Sequence, residues 1–467
     1  MLNYQPVRDC DADRLREYYE TCGYGLCEYS VGTKLMWQEH LNPTWAEGAG
    51  CLIVRCTLGG KVVYDYPVPG PEGDVAAALD MIVDECLEAG IQPVFSMVPR
   101  EKLGEIVERY PYFQVSDPRN WRDYVYHSED LREFKGRRYS GQRNHIKKFY
   151  AACPDAEFRK LTAEDLPLVE AFWKEYDCEF IKDTDKGAVK ELCIAKKMLR
   201  KVGSPLFRCG GLMHEGRLVS LAMAEKCGET LIIHIEKALY SYVGVYPATV
   251  QAFARAYGDD VTWLNREDDA ADRGLRTSKL QYGPAKLASK HQVRLQNELQ
   301  VFLNEIPTLS TQRLTLTPLR EEDIPAYNAL VLDGGRNRWW GYDDVGGLGA
   351  PVEERSFFEV AQRDFANRLA VNFAVRLDGK LIGEAVLYRF DYRGGAELGC
   401  RIAADQAGHG YGTEAFAAVA EWAIFGLGVD HVVAKCFKEN TASYKMLSSC
   451  MRPNGEDETY YYFEKRV

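Results

Sequence analysis

One short pattern occurs three times in this chain, at intervals of about 150 residues, the length of one ordinary domain. Each copy reads as a strand end, an acidic helix start and an amphipathic helix, in Pro6–Tyr19, Lys160–Phe172 and Pro318–Leu330. The aligned positions are Val7, Leu161 and Leu319, followed by Asp11, Asp165 and Asp323. Acidic residues in a first turn complement the helix dipole, which explains each copy locally but not the near-equal spacing. The repetition therefore predicts three units of one fold.

A repeated hairpin pattern supports this division. Leu212–Ala224 and Val375–Leu387 align, each with an acidic residue followed by glycine, a dipeptide that suits a tight β-turn. Thr57–Val68 is a looser equivalent near the start of the chain.

We expect the α/β (α+β) fold class, with each unit a mixed, twisted sheet flanked by helices. The units span 1–150 (unit 1), 151–303 (unit 2) and 309–467 (unit 3), with Leu303–Gln312 as the linker before the last.

Unit 3 contains the stretch with the clearest chemistry. Its pattern predicts strands over Ala396–Ala403 and Val432–Phe437, and helices over Thr413–Phe425 and Thr441–Ser448. Three glycines lie in Gly408–Gly412, directly before the first helix. Glycine permits positive φ, and the helix start aims unpaired N–H groups and a positive dipole end at one point. We therefore predict a pyrophosphate site, although the spacing is not the nicotinamide GxGxxG pattern.

These residues resemble the GNAT family of acyl-CoA N-acyltransferases, most closely the branch that acetylates ribosomal-protein N-termini. "GHGYGTEA" (Gly408–Ala415) looks like that family's CoA pyrophosphate loop, and "AELGCRIA" (Ala396–Ala403) like its central splayed strand. "ENTASYKML" (Glu439–Leu447) looks like its Asn-x-x-Ser segment. The resemblance covers roughly Leu309–Val467 and departs at Ala407, where the family usually has Arg or Gln. It implies acetyl-CoA as co-substrate and an amine as acceptor.

The resemblance also implies roles for single residues. Tyr444 stands where the family keeps the general acid for the leaving thiolate, with a packing tyrosine as the alternative. Glu397 and Glu384 lie on the strands expected to flank the acceptor, and Glu397 is the better candidate base. Both could equally be solvated strand residues, and a water chain leading to bulk solvent could replace a base. The residues implied in CoA binding are Cys400, Arg401, Ile402, Gly408, His409, Gly410, Tyr411, Gly412, Thr413, Asn440 and Ser443.

An aromatic, glycine-containing segment follows the first helix of unit 3. Between Asp333 and Asp344 it carries Trp339, Trp340 and Tyr342. Such a loop can cover a small amine, so these three residues are candidates for acceptor binding. A surface loop pinned by buried tryptophan explains the composition equally well.

Three segments of units 1 and 2 are distinctive as a set: Leu131–Phe149, Ile233–Ala238 and Leu264–Lys286. Together they resemble the soluble catalytic part of phosphatidylglycerol lysyltransferases and its relatives, and the resemblance covers roughly Met1–Phe302. It implies a tandem pair of GNAT-like units. The lysyltransferases add a membrane region that this sequence lacks, which argues against a lipid acceptor.

Basic residues in these segments are candidate contacts for a phosphate or an aminoacyl-tRNA end. Arg143 and Asn144 lie in a basic run, and Arg276 and Lys279 in a second segment. A solvated helix face is the commoner outcome for such runs. In unit 2 only Gly244 remains of the glycines that align with the CoA loop, so CoA binding is not expected there.

The composition argues against several other classes of protein. A net charge of −11 argues against a general nucleic-acid binder, and no apolar run approaches the length of a membrane helix. The fourteen cysteines show no C-x-x-C pair. We expect reduced thiols, no metal site and a cytoplasmic location.

Three hypotheses follow. The first is an acetyl-CoA-dependent N-acetyltransferase in unit 3, acting on a small amine, an amino acid derivative or a peptide N-terminus, which units 1 and 2 bind or shape. The second is an aminoacyl-tRNA-dependent aminoacyl transferase in the tandem pair. The third is a protein that senses CoA without turnover. The sequence leaves the oligomeric state open.

Overall fold

The computed structural model describes residues 2–180, 186–340 and 356–467. Contacts divide the chain into two compact bodies. The N-terminal body comprises Met1–Ile82, Val94–Glu105 and Val115–Val293, and the C-terminal body comprises Val83–Pro93, Ile106–Gln114 and Arg294–Val467. Three mixed, eight-stranded sheets confirm the predicted fold class. No helix of the described ranges is both long and apolar enough to cross a bilayer.

The first part of the chain supplies seven strands and five α-helices. The strands are β1 Gln5–Pro6, β2 Thr44–Gly48, β3 Cys51–Leu58, β4 Lys61–Asp65, β5 Val68–Pro69, β6 Val94–Pro99 and β7 Phe113–Ser116. The helices are α1 Ala12–Cys22, α2 Val31–Met36, α3 Gln38–Leu41, α4 Val75–Glu88 and α5 Leu103–Val107.

The middle part, outside residues 181–185, forms nine strands and seven α-helices. The strands are β8 Asp123–His127, β9 Glu157–Lys160, β10 Phe207–His214, β11 Arg217–Leu218, β12 Ser220–Cys227, β13 Thr230–Ala238, β14 Trp263–Asn265, β15 Lys286–Ala288 and β16 Lys290–Leu295. The helices are α6 Ser128–Glu133, α7 Ser140–Ala152, α8 Leu166–Phe180, α9 Lys186–Leu199, α10 Val245–Tyr257, α11 Arg273–Gln281 and α12 Glu298–Phe302.

The described residues of the last part, up to 340 and from 356 onward, form eight strands and five α-helices. The strands are β17 Leu309–Ser310, β18 Leu314–Pro318, β19 Ala370–Leu377, β20 Lys380–Tyr388, β21 Gly395–Ile402, β22 His431–Phe437, β23 Arg452–Glu456 and β24 Tyr460–Arg466. The helices are α13 Ile324–Val331, α14 Gly334–Asn337, α15 Ser356–Ala366, α16 Tyr411–Trp422 and α17 Thr441–Cys450.

The three sheets share one core arrangement. Their orders are β1-β2-β3-β4-β6-β16-β7, β11-β10-β12-β13-β14-β8-β15 and β17-β18-β19-β20-β21-β22-β24-β23, with β5 beside β3 and β9 beside β10. In each, two antiparallel pairings lead into a parallel pair joined by a crossover helix: β4-α4-β6, β13-α10-β14 and β21-α16-β22. The sequence repeat therefore corresponds to a repeated strand–helix–strand core.

The predicted hairpins are confirmed. Strands β10 and β11, and strands β19 and β20, meet at Glu215-Gly216 and Asp378-Gly379, and all four turn residues have positive φ. A two-residue type I′ turn requires this conformation at both central positions.

Two strands are exchanged across the predicted boundary between units 1 and 2. Strand β8 belongs to unit 1 in sequence but pairs with β14 and β15 in the second sheet. Strand β16 belongs to unit 2 but lies in the first sheet. The exchange ties the tandem pair into one body.

The repeated aspartate has the same local role in all three units. Oδ2 of Asp11, Asp165 and Asp323 accepts a hydrogen bond from the backbone N–H three residues earlier, at 2.8 Å in every copy. This bond closes the 3₁₀ turn that leads into α1, α8 or α13. The copies differ in their ion pairs: Asp165 meets the exposed Arg159, and Asp323 meets the buried Arg376.

Candidate functional site

Strands β21 and β22 diverge along their length. Their parallel register covers Gly395–Glu397 against His431–Val433, although β21 continues to Ile402 and β22 to Phe437. Along the divergent part, β20 pairs with β21 and β24 pairs with β22, each on the outer side. Backbone N–H and C=O groups on the inner sides therefore point into the opening, where an extended ligand with amide groups can pair with them.

The other two parallel pairs of the described chain lack such an opening. In the first sheet, β4 ends at Asp65, the last residue that it pairs with β6. In the second, β14 ends at Asn265, the last residue that it pairs with β13. Two divergent strands that both extend beyond their shared register occur here in the third sheet alone.

A glycine loop (Gly408–Thr413) follows β21 and opens α16. Gly408 and Gly410 have φ of 82° and 79°, the left-handed conformation that favours glycine. A Cβ at Gly408 would meet no atom within 4 Å, and one at Gly410 would lie 3.4 Å from Nη2 of Arg313. Gly410, the N-cap residue of α16, makes no side-chain cap, so the first-turn N–H groups of Tyr411–Thr413 lack that usual partner. The donors and the free volume fit a pyrophosphate.

The counterpart in unit 2 is closed. Gly244 is the N-cap of α10, with φ of 87°. A Cβ there would come within 2.1 Å of the backbone oxygen of His145, on α7. Helix α7 therefore covers the position that lies open at the glycine loop of unit 3.

Arg313, which sequence reasoning missed, holds the glycine loop. Its Nε donates to Glu414 at 2.7 Å, its Nη1 donates to the backbone oxygen of His409 at 2.9 Å, and its guanidinium lies over the ring of Tyr411. Burial raises the pKa of Glu414, but hydrogen bonds from Thr311 and Arg313 outweigh it, so the pKa is lowered and the carboxylate stays charged. A lone arginine before a strand carries no sequence signal for this role.

Close packing brings the end of β21 against the start of α16. A Cβ at Gly412 would lie 3.4 Å from Ile402 and 3.5 Å from the sulfur of Met446. The Sγ of Cys400 lies 3.8 Å from the backbone oxygen of Gly412. Burial raises the pKa of Cys400 to about 12, so this sulfur is a neutral thiol and not a nucleophile.

Helix α17 packs against α16. Asn440 is its N-cap, and the Asn440 Oδ1 accepts from the N–H of Ser443 at 3.1 Å. Tyr444 follows with 40% of its surface exposed, and its ring lies edge-on to Tyr461. The phenol is thus held on one side and accessible on the other.

The two tryptophans lie over the opposite face of the sheet. The Trp340 ring lies 3.5 Å from a Cβ built at Gly399 on β21, and Trp339 packs against Phe437 on β22 with ring centroids 5.4 Å apart. They therefore contact both diverging strands. Tyr342 lies outside the described residues.

Glu384 is fully buried and paired. Its Oε1 accepts from Tyr327 at 2.8 Å and from Asn372 at 2.9 Å, and its Oε2 accepts from Nη2 of Arg401 at 2.6 Å. Trp340 stacks over the Arg401 guanidinium, 4.3 Å away. With both oxygens engaged, Glu384 positions Arg401 beneath the tryptophan.

Glu397 lies on the same face and is partly accessible. Its side chain is 13% exposed, its Oε1 accepts from the hydroxyl of Tyr388 at 2.7 Å, and the ammonium of Lys435 is 3.9 Å away. Of the two predicted carboxylates, Glu397 is the one that a substrate amine or a water can reach.

Most of the basic residues predicted to contact phosphate in the N-terminal body are engaged within the protein. Arg143 donates to two backbone oxygens at the end of α6, and Lys279, which is buried, donates to two others before α11. Arg276 is paired with the buried Asp269 at 2.8 Å. Asn144 is exposed on α7. Their predicted contact with a ligand stays a prediction.

Two family models match the chain. The one described as phosphatidylglycerol lysyltransferase, C-terminal, matches residues 22–293, and the one described as acetyltransferase (GNAT) domain matches 313–450. A search of the curated proteins found no match.

Solved structures also resemble the chain. A conserved protein of unknown function from Bacteroides thetaiotaomicron is 24% identical over 63% of this chain and 100% of its own, with a TM-score of 0.58, and shares the fold. The C-terminal domain of a putative lysylphosphatidylglycerol synthetase from Agrobacterium fabrum is 11% identical over 61% and 91%, with a TM-score of 0.45. A putative ribosomal-protein-serine acetyltransferase from Vibrio cholerae is 19% identical over 34% and 98%, with a TM-score of 0.28.

Proposed function

The chain belongs to the family of the phosphatidylglycerol lysyltransferase C-terminal domain and carries a GNAT acetyltransferase domain, and we propose that it is an acetyl-CoA-dependent N-acetyltransferase. The GNAT domain makes it an acyltransferase; acetyl-CoA as donor is our proposal. The acceptor in this proposal is a small amine, an amino acid derivative or a peptide N-terminus, which units 1 and 2 bind or shape.

One observation carries the proposal: an open glycine loop stands at the end of two strands that separate. The N–H groups of Gly408–Thr413 would hold the diphosphate of the coenzyme. The free backbone groups of Cys400–Ile402, with Asn440 and Ser443, would hold its amide-containing arm. The bound thioester supplies a carbonyl group activated for attack by an amine.

Two side chains would handle the protons. Glu397 would accept a proton from the amine, directly or through water, because it is accessible and its Oε2 lies 3.9 Å from Arg389 without a close hydrogen bond there. Tyr444 would donate a proton to the leaving thiolate from the face where the coenzyme arm lies. Glu384 is the weaker candidate base because Tyr327 and Arg401 already occupy its oxygens.

Gly410→Glu tests coenzyme binding. A carboxylate about 4 Å from the diphosphate costs about 4 kcal/mol at an effective dielectric constant near 20, which is on the order of 1,000-fold in Kd. Gly379→Glu is the matched control, because Gly379 has a similar φ of 82° in an open hairpin turn of the same domain. Calorimetric titration with CoA measures both. Wild-type affinity in Gly410→Glu would refute the proposed site.

A thiol-release assay tests turnover. With acetyl-CoA and a panel of amines, amino acids and peptides, we expect free thiol only when an acceptor is present. Tyr444→Phe and Glu397→Gln should each lower kcat by about 100-fold or more, the usual scale of general acid–base catalysis. Binding of CoA without thiol release for any acceptor would favour the CoA-sensing alternative.

The second candidate function, aminoacyl transfer from aminoacyl-tRNA, has one supporting observation. Arg137, Lys147 and Lys148 are exposed on and beside α7. Arg143→Glu is a poor probe because it also removes two backbone hydrogen bonds. Weaker binding of charged tRNA by Lys147→Glu/Lys148→Glu, with acetyl-CoA binding unchanged, would support this function.

A further inference from the structure

The N-terminal body contains a cavity of ≈ 40 Å³ beside β3, β4 and β6. Its walls are mainly apolar and include Trp37, Leu41, Pro43, Leu58 and Val63. Trp37, Leu41 and Leu58 are half-buried, as is Glu28, although the Oε2 atom of Glu28 is itself buried. The volume holds about three water-sized groups. Strands β4 and β6 form the parallel pair that corresponds to β21 and β22, so the cavity lies at the equivalent place in the repeated core.

Two buried acceptors of the cavity lining have no hydrogen-bond partner in the described chain. Ser96 is 1% exposed, and its Oγ is unpaired. Glu28 uses its Oε1 to accept from Lys290 at 2.8 Å, while its buried Oε2 is unpaired. Buried polar groups in native proteins are rarely left without partners, so this end of the cavity suits a ligand with N–H or O–H donors.

The charges around Glu28 favour a cationic ligand. The buried ammonium of Lys290 lies 2.6 Å from Asp123, 2.8 Å from Glu28 and 3.9 Å from Asp268. Asp123 and Asp268 also accept hydrogen bonds from N–H groups, whereas Oε2 of Glu28 accepts none in the described chain. Cys27, Glu28 and Asp123 lie close enough to hold a metal ion, but Lys290 contacts all three. Burial raises the pKa of Glu28 to about 7, the direction expected for a carboxylate that lacks sufficient compensation.

The second ion pair at the cavity carries no net charge. Lys34 and Asp65, both nearly inaccessible, form a direct salt bridge. It therefore neither adds net charge to the cavity nor reaches the unpaired Oε2 of Glu28.

We propose that this cavity binds the end of a linear alkyl primary ammonium. The ammonium would donate to Oε2 of Glu28 and Oγ of Ser96, and its first methylene groups would lie against Val63 and Pro43. A longer chain would leave between Trp37 and Leu58. The site lies within the N-terminal body and does not depend on the proposed acetyltransferase activity.

Calorimetric titration of the full chain with n-butylammonium chloride tests the proposal, with 1-butanol and tetramethylammonium as ligand controls. We expect saturable binding of butylammonium alone. Ser96→Ala and Glu28→Gln should each weaken it at least tenfold. Glu39→Gln, an exposed carboxylate on the neighbouring α3, is the matched control and should bind like the wild type.

Several results would overturn the proposal. They are equal binding of 1-butanol, unchanged binding in both cavity variants, and ordered water alone in the cavity of crystals soaked at saturating butylammonium. If Glu28→Gln fails to fold, Ser96→Ala decides, because it removes one unpaired hydroxyl and no ion pair. An amine bound in the GNAT domain would be unaffected by either variant, so the two sites are distinguishable.

Discussion

Replacing Asp323 by alanine removes the most strongly engaged copy of the repeated aspartate. Asp323 accepts from Nη1 and Nη2 of Arg376 at 2.7 and 2.6 Å, and both side chains are nearly inaccessible to solvent. After the change, Arg376 keeps a bond to Thr317 but stays charged and buried without its counterion. Removing one partner of a buried ion pair costs about 3–5 kcal/mol, mostly from the charge left behind.

The same substitution at the other two repeated aspartates should cost less stability. Asp165→Ala loses a backbone bond worth about 1 kcal/mol and an ion pair to the half-exposed Arg159 worth at most about 1 kcal/mol, so we expect about 1–2 kcal/mol. Asp11 forms the backbone bond and no ion pair in the described chain, so Asp11→Ala should lower the stability by about 1 kcal/mol. The predicted order is Asp323, then Asp165, then Asp11.

Hydrogen exchange of α13, α8 and α1, followed by mass spectrometry, measures the loss of local stability in each helix. Global denaturation is less suitable because a chain of two bodies need not unfold in one step. For Asp323→Ala, the loss of about 3–5 kcal/mol in local stability should make the amides of α13 exchange faster by about two to three and a half orders of magnitude. Asp323→Leu with Arg376→Met should recover most of it. Equal losses of local stability in α13, α8 and α1 would refute the inference that the ion pairs of the three aspartates differ in burial.

Two further predictions concern other parts of the chain. Arg313→Ala should weaken CoA binding about tenfold in calorimetric titration, because the glycine loop loses the bonds that hold it, whereas the exposed Arg466→Ala should not. Burial lowers the pKa of His234, but hydrogen bonds with Glu225 and Glu267 outweigh it and raise the pKa to about 9. Because this exceeds the unfolded value of about 6.5, the stabilisation is full below pH 6.5 and is lost as pH rises through 9; Tm of His234→Gln should therefore vary less than wild type between pH 7 and 9.

Local features were predictable from the sequence. The strand and helices around the glycine loop follow from periodicity, and Asn440 begins α17 as predicted. The main difference is a helix end: α16 stops at Trp422 and continues as a π turn over Ala423–Leu427, which periodicity does not register. The boundaries of the three units stay a prediction, and the exchange of β8 and β16 between the first two sheets had no sequence signal.

The sequence by itself determined the repeated core, the glycine loop and the candidate residues, because glycine conformation, helix capping and periodicity depend on neighbours a few residues away. The tertiary structure decided which loop is open, since His145 closes Gly244 from a distant helix while no described atom lies within 4 Å of a Cβ built at Gly408. It also decided which carboxylate is accessible, because Arg401 and Tyr327 occupy Glu384. Such outcomes depend on contacts between residues far apart in the chain, and single-sequence patterns do not record them.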